Sequence, residues 1–184
     1  MKVGSKISAQ DNGTCMFDDY KTIPHCPQCG YRLDYFAINR GYRWKGSQED
    51  VGATYDGYLI VSEQFRSFCL KEGYAGLKFE IFESDHQHFA LIVERTVPFD
   101  YAKRKTRFEK LCPTCENYES VVGAKPSYLM IDQFLSDGIH RSDLLFGSGN
   151  EKHPLIFVAE TTRLKMLASG LKGLEFSDAF GIEG

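Results

Sequence analysis

No run of apolar residues in this 184-residue chain approaches the length needed to cross a membrane, and its opening MKVGSKISAQDNG lacks the apolar core of a signal peptide. The protein is therefore expected in the cytoplasm, with no membrane partner. Positive charge is not in excess: 22 Lys and Arg stand against 25 Asp and Glu, a net charge of -3. Composition thus gives no global electrostatic pull towards nucleic acid, and a basic partner is the easier one to attract. There is no Gly-rich phosphate loop, no Gly-x-Ser-x-Gly and no His-Glu-x-x-His. With the usual nucleotide, hydrolase and metalloprotease signatures missing, no catalytic residue is assigned and the chain reads as a non-enzyme.

What is plentiful is aromatic and aliphatic sequence. The 14 Phe and 10 Tyr lie with many Val, Ile and Leu in short runs broken by glycine, which favours a strand-rich α+β fold over a helical bundle. An internal repeat organises it. Residues 59–79 align without a gap on 156–176 at an offset of 97, and eight of the 21 pairs are identical, among them Glu63 with Glu160, Arg66 with Arg163, Gly73 with Gly170 and Phe79 with Phe176. Each copy reads as strand, helix, turn, strand. Ser62 and Thr161 are placed as N-caps and Gly73 and Gly170 as left-handed helix stops. Phe65, Phe68 and Cys69 fall on one helical face, which should be the inner one. Residues 31–38 and 127–131 are further strand candidates, each followed by a long polar loop, and 88–94 is an extra strand. The expectation is one domain over 1–184 with a strand-rich sheet, two short helices and two related halves at about 21–98 and 107–180.

Four of the six cysteines fall in two Cys-Pro-x-Cys pairs, Cys26 with Cys29 and Cys112 with Cys115. Each pair has the form of a zinc knuckle, a tight turn that aims two thiolates at one metal, and two knuckles complete a closed four-thiolate site. The expected cofactor is therefore one structural Zn2+ held by Cys26, Cys29, Cys112 and Cys115, joining the two halves across the 82 residues between Cys29 and Cys112. Two redox pairs or unliganded thiols are the alternatives. Gly30 follows the first pair, whereas Glu116 stands in the same place after the second and is expected to loosen that turn. Cys69 reads as a core residue and Cys15 as a free thiol.

Other constellations are weaker. His86 and His88 could share a strand face but lack a third metal ligand, so they read as ordinary strand-edge histidines. Glu63 and Glu160 suit helix starts, where a carboxylate meets the positive end of the dipole. Lys103, Arg104, Lys105, Arg107 and Lys110 make a basic run beside the second knuckle, the one local argument for nucleic-acid binding. The loop between Gly41 and Gly57 carries the single tryptophan together with Arg, Tyr and acids. Arg43, Trp44, Glu49, Asp50 and Tyr55 are accordingly the candidate partner-binding residues, since aromatic and Arg anchors supply most binding energy and carboxylates meet a basic surface. The competing reading is that Trp44 packs onto the sheet.

The sequence Cys26-Pro27-Gln28-Cys29-Gly30, the later Cys112-Pro113-Thr114-Cys115, and the phrase Ser169-Gly170-Leu171-Lys172-Gly173-Leu174-Glu175-Phe176 with its earlier copy ending at Phe79 together resemble the double-CXXCG immunity proteins of bacterial polymorphic-toxin systems. The resemblance covers nearly the whole chain, with Glu116 departing from the family's second glycine. It implies an immunity protein that neutralises a cognate toxin or effector made by the same cell. Cytoplasmic placement and acidic charge point to a nuclease among toxin chemistries. A zinc-dependent nucleic-acid-binding regulator that uses the basic run is the alternative.

Overall fold

The computed structural model describes residues 1–46 and 48–182. It is an α+β fold of two sheets. The strands are β1 (Lys2–Ser8), β2 (Val51–Ala53), β3 (Leu59–Ser62), β4 (Leu77–Ile81), β5 (His88–Val93), β6 (Thr96–Val97), β7 (Arg107–Leu111), β8 (Tyr118–Val122), β9 (Ser127–Tyr128), β10 (Ile139–Ser148), β11 (His153–Val158) and β12 (Glu175–Phe180). The helices are α1 (Glu63–Lys71), the single turn α2 (Tyr101–Arg104) and α3 (Glu160–Ala168), one more than expected. The smaller sheet runs β2-β3-β5-β4; the larger runs β7-β8-β10-β11-β1-β12-β9, with β6 beside β10. No helix among the described residues is long and apolar enough to cross a membrane.

Both repeated segments form the expected strand, helix and strand, and they match in register. In the first, β3 and β4 flank β5, so that Leu59 and Phe79 share Leu91 as partner, Ile60 and Glu80 share Ala90, and Val61 and Ile81 share Phe89. In the second, β11 and β12 flank β1: Ile156 and Phe176 share Ile7, Phe157 and Ser177 share Lys6, and Val158 and Asp178 share Ser5. Every one of these flanking residues obeys the offset of 97. The central strand does not: β5 follows the first unit's helix and second strand directly, whereas β1 lies at the other end of the sequence from the second unit. The expected extra strand at 88–94 is thus the middle of a sheet.

β1 was invisible to periodicity because KVGSKIS is polar and small. Gly4 is the reason it fits: a Cβ there would lie 2.6 Å from the Val158 carbonyl oxygen and 2.7 Å from Leu135 Cδ1. The long polar loop expected after 127–131 is in fact interrupted by the longest strand, β10. Its polar side chains satisfy backbone groups around a register shift between Arg141 and Leu145. Ser142 Oγ donates to the Leu144 carbonyl and accepts from Leu155 N–H, and Asp143 Oδ1 accepts from Phe99 N–H. Residues 31–38, expected as a strand, are irregular, since the Asp34 carboxylate accepts from Phe36 N–H in a local turn and Arg32 is drawn into the interior.

Both helices end alike. Gly73 and Gly170 have φ of 70° and 73°, and their N–H groups return to Leu70 and Leu167. They begin differently. Ser62 Oγ accepts from Phe65 N–H, but the matching residue of the second helix is Ala159, without a side-chain cap bond. Thr161 lies inside α3, not at its cap, and its hydroxyl donates to Asp137 Oδ1 at 3.1 Å. Glu63 and Glu160 occupy the first turns and bind Arg66 and Arg163 three residues on.

One apolar cluster is common to both units. Phe65 and Cys69 of α1, Met166 of α3, Val61 and Phe89 of the small sheet, and Ile7, Ile156 and Val158 of the large sheet all belong to it. Phe68 packs against it half-buried, as the helical face predicts. Burial pushes the Cys69 thiol up to about 12, so this cysteine behaves as a small apolar residue. Leu167, one position beyond Met166, is 53% exposed. Met166→Ala is therefore expected to cost about 2–5 kcal/mol in urea unfolding, and Leu167→Ala no more than about 0.5 kcal/mol.

Candidate metal centre

Each cysteine pair lies in the turn of a hairpin, and the two turns match at an offset of 86. In the first, Cys26 N–H donates to the Tyr31 carbonyl at 2.9 Å, Gly30 N–H to the Cys26 carbonyl at 2.8 Å, and His25 bridges Arg32. In the second, Cys112 N–H donates to Asn117 at 2.9 Å, Glu116 N–H to Cys112 at 2.9 Å, and Leu111 of β7 faces Tyr118 of β8. Glu116 does not loosen its turn. It takes a left-handed φ of 57° where Gly30 has 75°, so the same turn is made at a conformational cost.

The hairpins face each other, first cysteine to first and second to second. Cys26 Sγ is 3.9 Å from Cys112 Sγ, Cys29 Sγ is 3.6 Å from Cys115 Sγ, and all four sulfurs lie within 4.8 Å of one another. Thr114 Oγ1 donates to Gln28 Oε1 between the turns, another pair 86 residues apart. Ligand sulfurs about 2.3 Å from a tetrahedral ion lie about 3.8 Å apart. The four cysteines could therefore hold one metal ion almost as they stand, and they form the one such group among the described residues. Backbone N–H groups, of Cys29 and then Gln28, hold the Cys26 thiol below its usual range, and those of Cys115 and Thr114 do the same for Cys112. Burial pushes Cys29 the other way, up to about 12, an effect that a central cation would reverse.

Two buried cations that no spacing rule singles out fix the hairpins in place. Arg32, immediately after the first turn, donates to the Lys152 carbonyl at 2.8 Å, to the Asp56 carbonyl at 3.3 Å and to the Tyr58 hydroxyl. Its guanidinium lies 4.5 Å from the centre of the Tyr35 ring and 4.9 Å from that of Tyr58. Lys152 donates its ammonium to the Tyr118 carbonyl beside the second turn and lies 5.1 Å from the Tyr31 ring beside the first. Burial lowers the Lys152 amine, while the neighbouring Cys29 and Cys115 sulfurs oppose that shift. Lys152 thus brings positive charge towards a centre that would be anionic with four thiolates.

The remaining candidates do not gather into a second centre. His88 Nδ1 lies 2.9 Å from Asp85 Oδ2, while His86 is exposed. Cys15 is half-buried, with its thiol raised by burial. In the basic run, Arg107 faces Glu109, Lys110 binds Glu119, and Lys103 lies 5.0 Å from the Tyr128 ring. Of the loop residues, Trp44 is half-buried over the backbones of Gly46 and Gly52, and its ring is 6.2 Å from that of His88. Asp50 accepts from Ser62 Oγ at 2.6 Å and from Lys172 N–H at 2.9 Å, and Glu49 lies against Gly173. Arg43 and Tyr55 are exposed. No family model matches the chain, and no curated protein matches it significantly.

The two turns make reciprocal predictions. Glu116→Gly should raise stability by about 0.5–1 kcal/mol by relieving the left-handed conformation, net of the added freedom of the unfolded chain. Gly30→Ala, with nothing within 4 Å of the added Cβ, should lose about 1–2 kcal/mol from backbone conformation alone. Thermal unfolding of the metal-loaded protein measures both.

Proposed function

We propose that this chain is a zinc-stabilised, non-enzymatic immunity protein that neutralises a cognate antibacterial toxin by forming a one-to-one complex in the cytoplasm. The observation that carries the reading is the closed cluster of Cys26, Cys29, Cys112 and Cys115. Four thiolates fill every position of a tetrahedral ion and leave none for substrate or water, the arrangement of a structural site. Zinc suits four soft ligands at these separations. Its contribution would be folding energy, because it ties residue 26 to residue 115. The likeness of the cysteine turns and glycine phrases to the double-CXXCG proteins supplies the biological role.

A lethal partner has to be held at nanomolar concentration or below, about 12 kcal/mol. We place contacts among Arg43, Trp44, Glu49, Asp50 and Tyr55. Arg43 and Tyr55 offer exposed anchors for such a contact. Asp50 and Trp44 would act largely by holding the loop in shape, given their hydrogen bonds and packing. An acidic protein suits a basic, nucleic-acid-seeking toxin. The rival reading, a nucleic-acid-binding regulator, is disfavoured because Glu109 and Glu119 pair with two cations of the basic run.

Protein purified without chelators should carry one zinc per chain, and Cys112→Ser should lower its melting temperature. Iron, no metal, or an unchanged melting temperature would refute the zinc assignment. The role is tested by expressing the toxin encoded beside this gene together with wild type or with a folded Arg43→Ala, Tyr55→Ala double variant. Protection by wild type and its loss in the variant are expected. A wild type that neither binds nor protects against any neighbouring gene product would sink the immunity reading. Binding to DNA or RNA below about 1 μM at physiological salt would favour the regulator instead.

A further inference from the structure

The two sheets do not close on each other completely. A cavity of about 270 Å³ remains between them, walled by Ile7, Leu59, Leu91, Val93 and Ile156. Asp11, Phe36 and Tyr55, all exposed, also line it and mark where it meets solvent. Two cationic residues, Lys6 and Arg141, also line it, and of these Arg141 stands on the same sheet face as the apolar wall. Arg141 of β10 lies opposite Ile156 of β11, which lies opposite Ile7 of β1, and residues paired across strands point to one side.

Arg141 is poorly satisfied for a guanidinium. Nη1 donates to the Ser142 carbonyl at 3.1 Å, yet Nε is buried with no hydrogen-bond partner, and no ion pair joins Arg141 to a carboxylate among the described residues. The Phe36 ring, 5.0 Å from Cζ, covers the group. Asp11, the carboxylate that lines the cavity, accepts from Gly13 N–H instead. A buried donor without a partner is rare in folded proteins and calls for an acceptor. Nε itself is closed off from the cavity, so a carboxylate within it would meet the guanidinium at its terminal nitrogens, of which only Nη1 has a carbonyl partner.

We propose that this cavity binds a small amphipathic monocarboxylate, whose head pairs with Arg141 and whose short apolar chain lies along Leu59, Leu91 and Ile156. The volume admits a chain of a few carbons and excludes a long lipid. Tyr55 at the cavity mouth is shared with the proposed toxin contact, but the proposal rests on neither that reading nor the cysteine cluster, so either can fail without it.

The probes are octanoate and octan-1-ol, which share a chain and differ in charge, titrated into the metal-loaded full chain and followed by methyl NMR. Octanoate should saturate with a dissociation constant below about 1 mM and shift the methyl signals of Leu59, Leu91 and Ile156, while octan-1-ol binds at least about tenfold more weakly. Arg141→Met should cost octanoate about tenfold or more and leave octan-1-ol within about twofold. Should that variant fail to fold, the comparison of the two probes on wild type decides alone. No saturation by about 10 mM, shifts confined to other methyls, octan-1-ol bound as tightly as octanoate, or equal losses for both probes in the variant would each overturn the proposal.

Discussion

The apolar cluster shared by the two units is the constraint on which the rest of the molecule depends. Each unit alone is three strands crossed by one short helix, which leaves the inner faces of helix and sheet in need of cover. Phe65 and Cys69 from one helix and Met166 from the other enter the same cluster, so each unit supplies the other's cover. Charges at its margin agree: Lys165 of α3 reaches Glu72 at the end of α1 and Asp137 before β10, each at 2.9 Å. The helices are too short to persist alone, and they exist because they are docked.

The cysteine cluster performs a different task at some remove. The first hairpin is irregular backbone and the second ends a sheet on the largely exposed edge strand β7, the kind of structure that tends to open locally. Side-chain bonds from Arg32, Lys152 and Asn150 tie the first hairpin to the turn between β10 and β11. A bound ion would then convert two tethered hairpins into one cross-linked element. The offset of 86 between the hairpins and of 97 between the units locates the variable part of the chain in between, where residues 33–58 and 119–155 differ in length and in structure.

What was legible in the sequence is what depends on local rules. The spacing of Cys26, Cys29, Cys112 and Cys115 foretold a cluster because a knuckle is a local turn, and the glycines at 73 and 170 foretold where helices stop. Thr161 misled because a hydroxyl two residues late can still find a carboxylate, here that of Asp137. β1 and β10 leave no alternating apolar pattern in the sequence, because long-range backbone pairing and polar side chains turned onto backbone account for their burial. Arg32 and Lys152 carry no sequence signal, because a buried cation in a polar segment looks like any surface residue until the aromatic rings around it are known. For the loop at 41–57, the competing expectation that Trp44 packs down agrees with its position over Gly46 and Gly52.

The insertion of β1 between β11 and β12 sets a timetable for synthesis. Lys2–Ser8 is translated well ahead of His153–Val158 and Glu175–Phe180, the strands that flank it. At roughly 5–20 residues per second, it waits on the order of ten seconds with both hydrogen-bonding edges bare. A bare apolar strand would pair with whatever chain came near. KVGSKIS, with two lysines, two serines and a glycine in seven residues, is poorly suited to such pairing. The polarity that conceals this strand from pattern reading is also what lets it remain available until its neighbours are made.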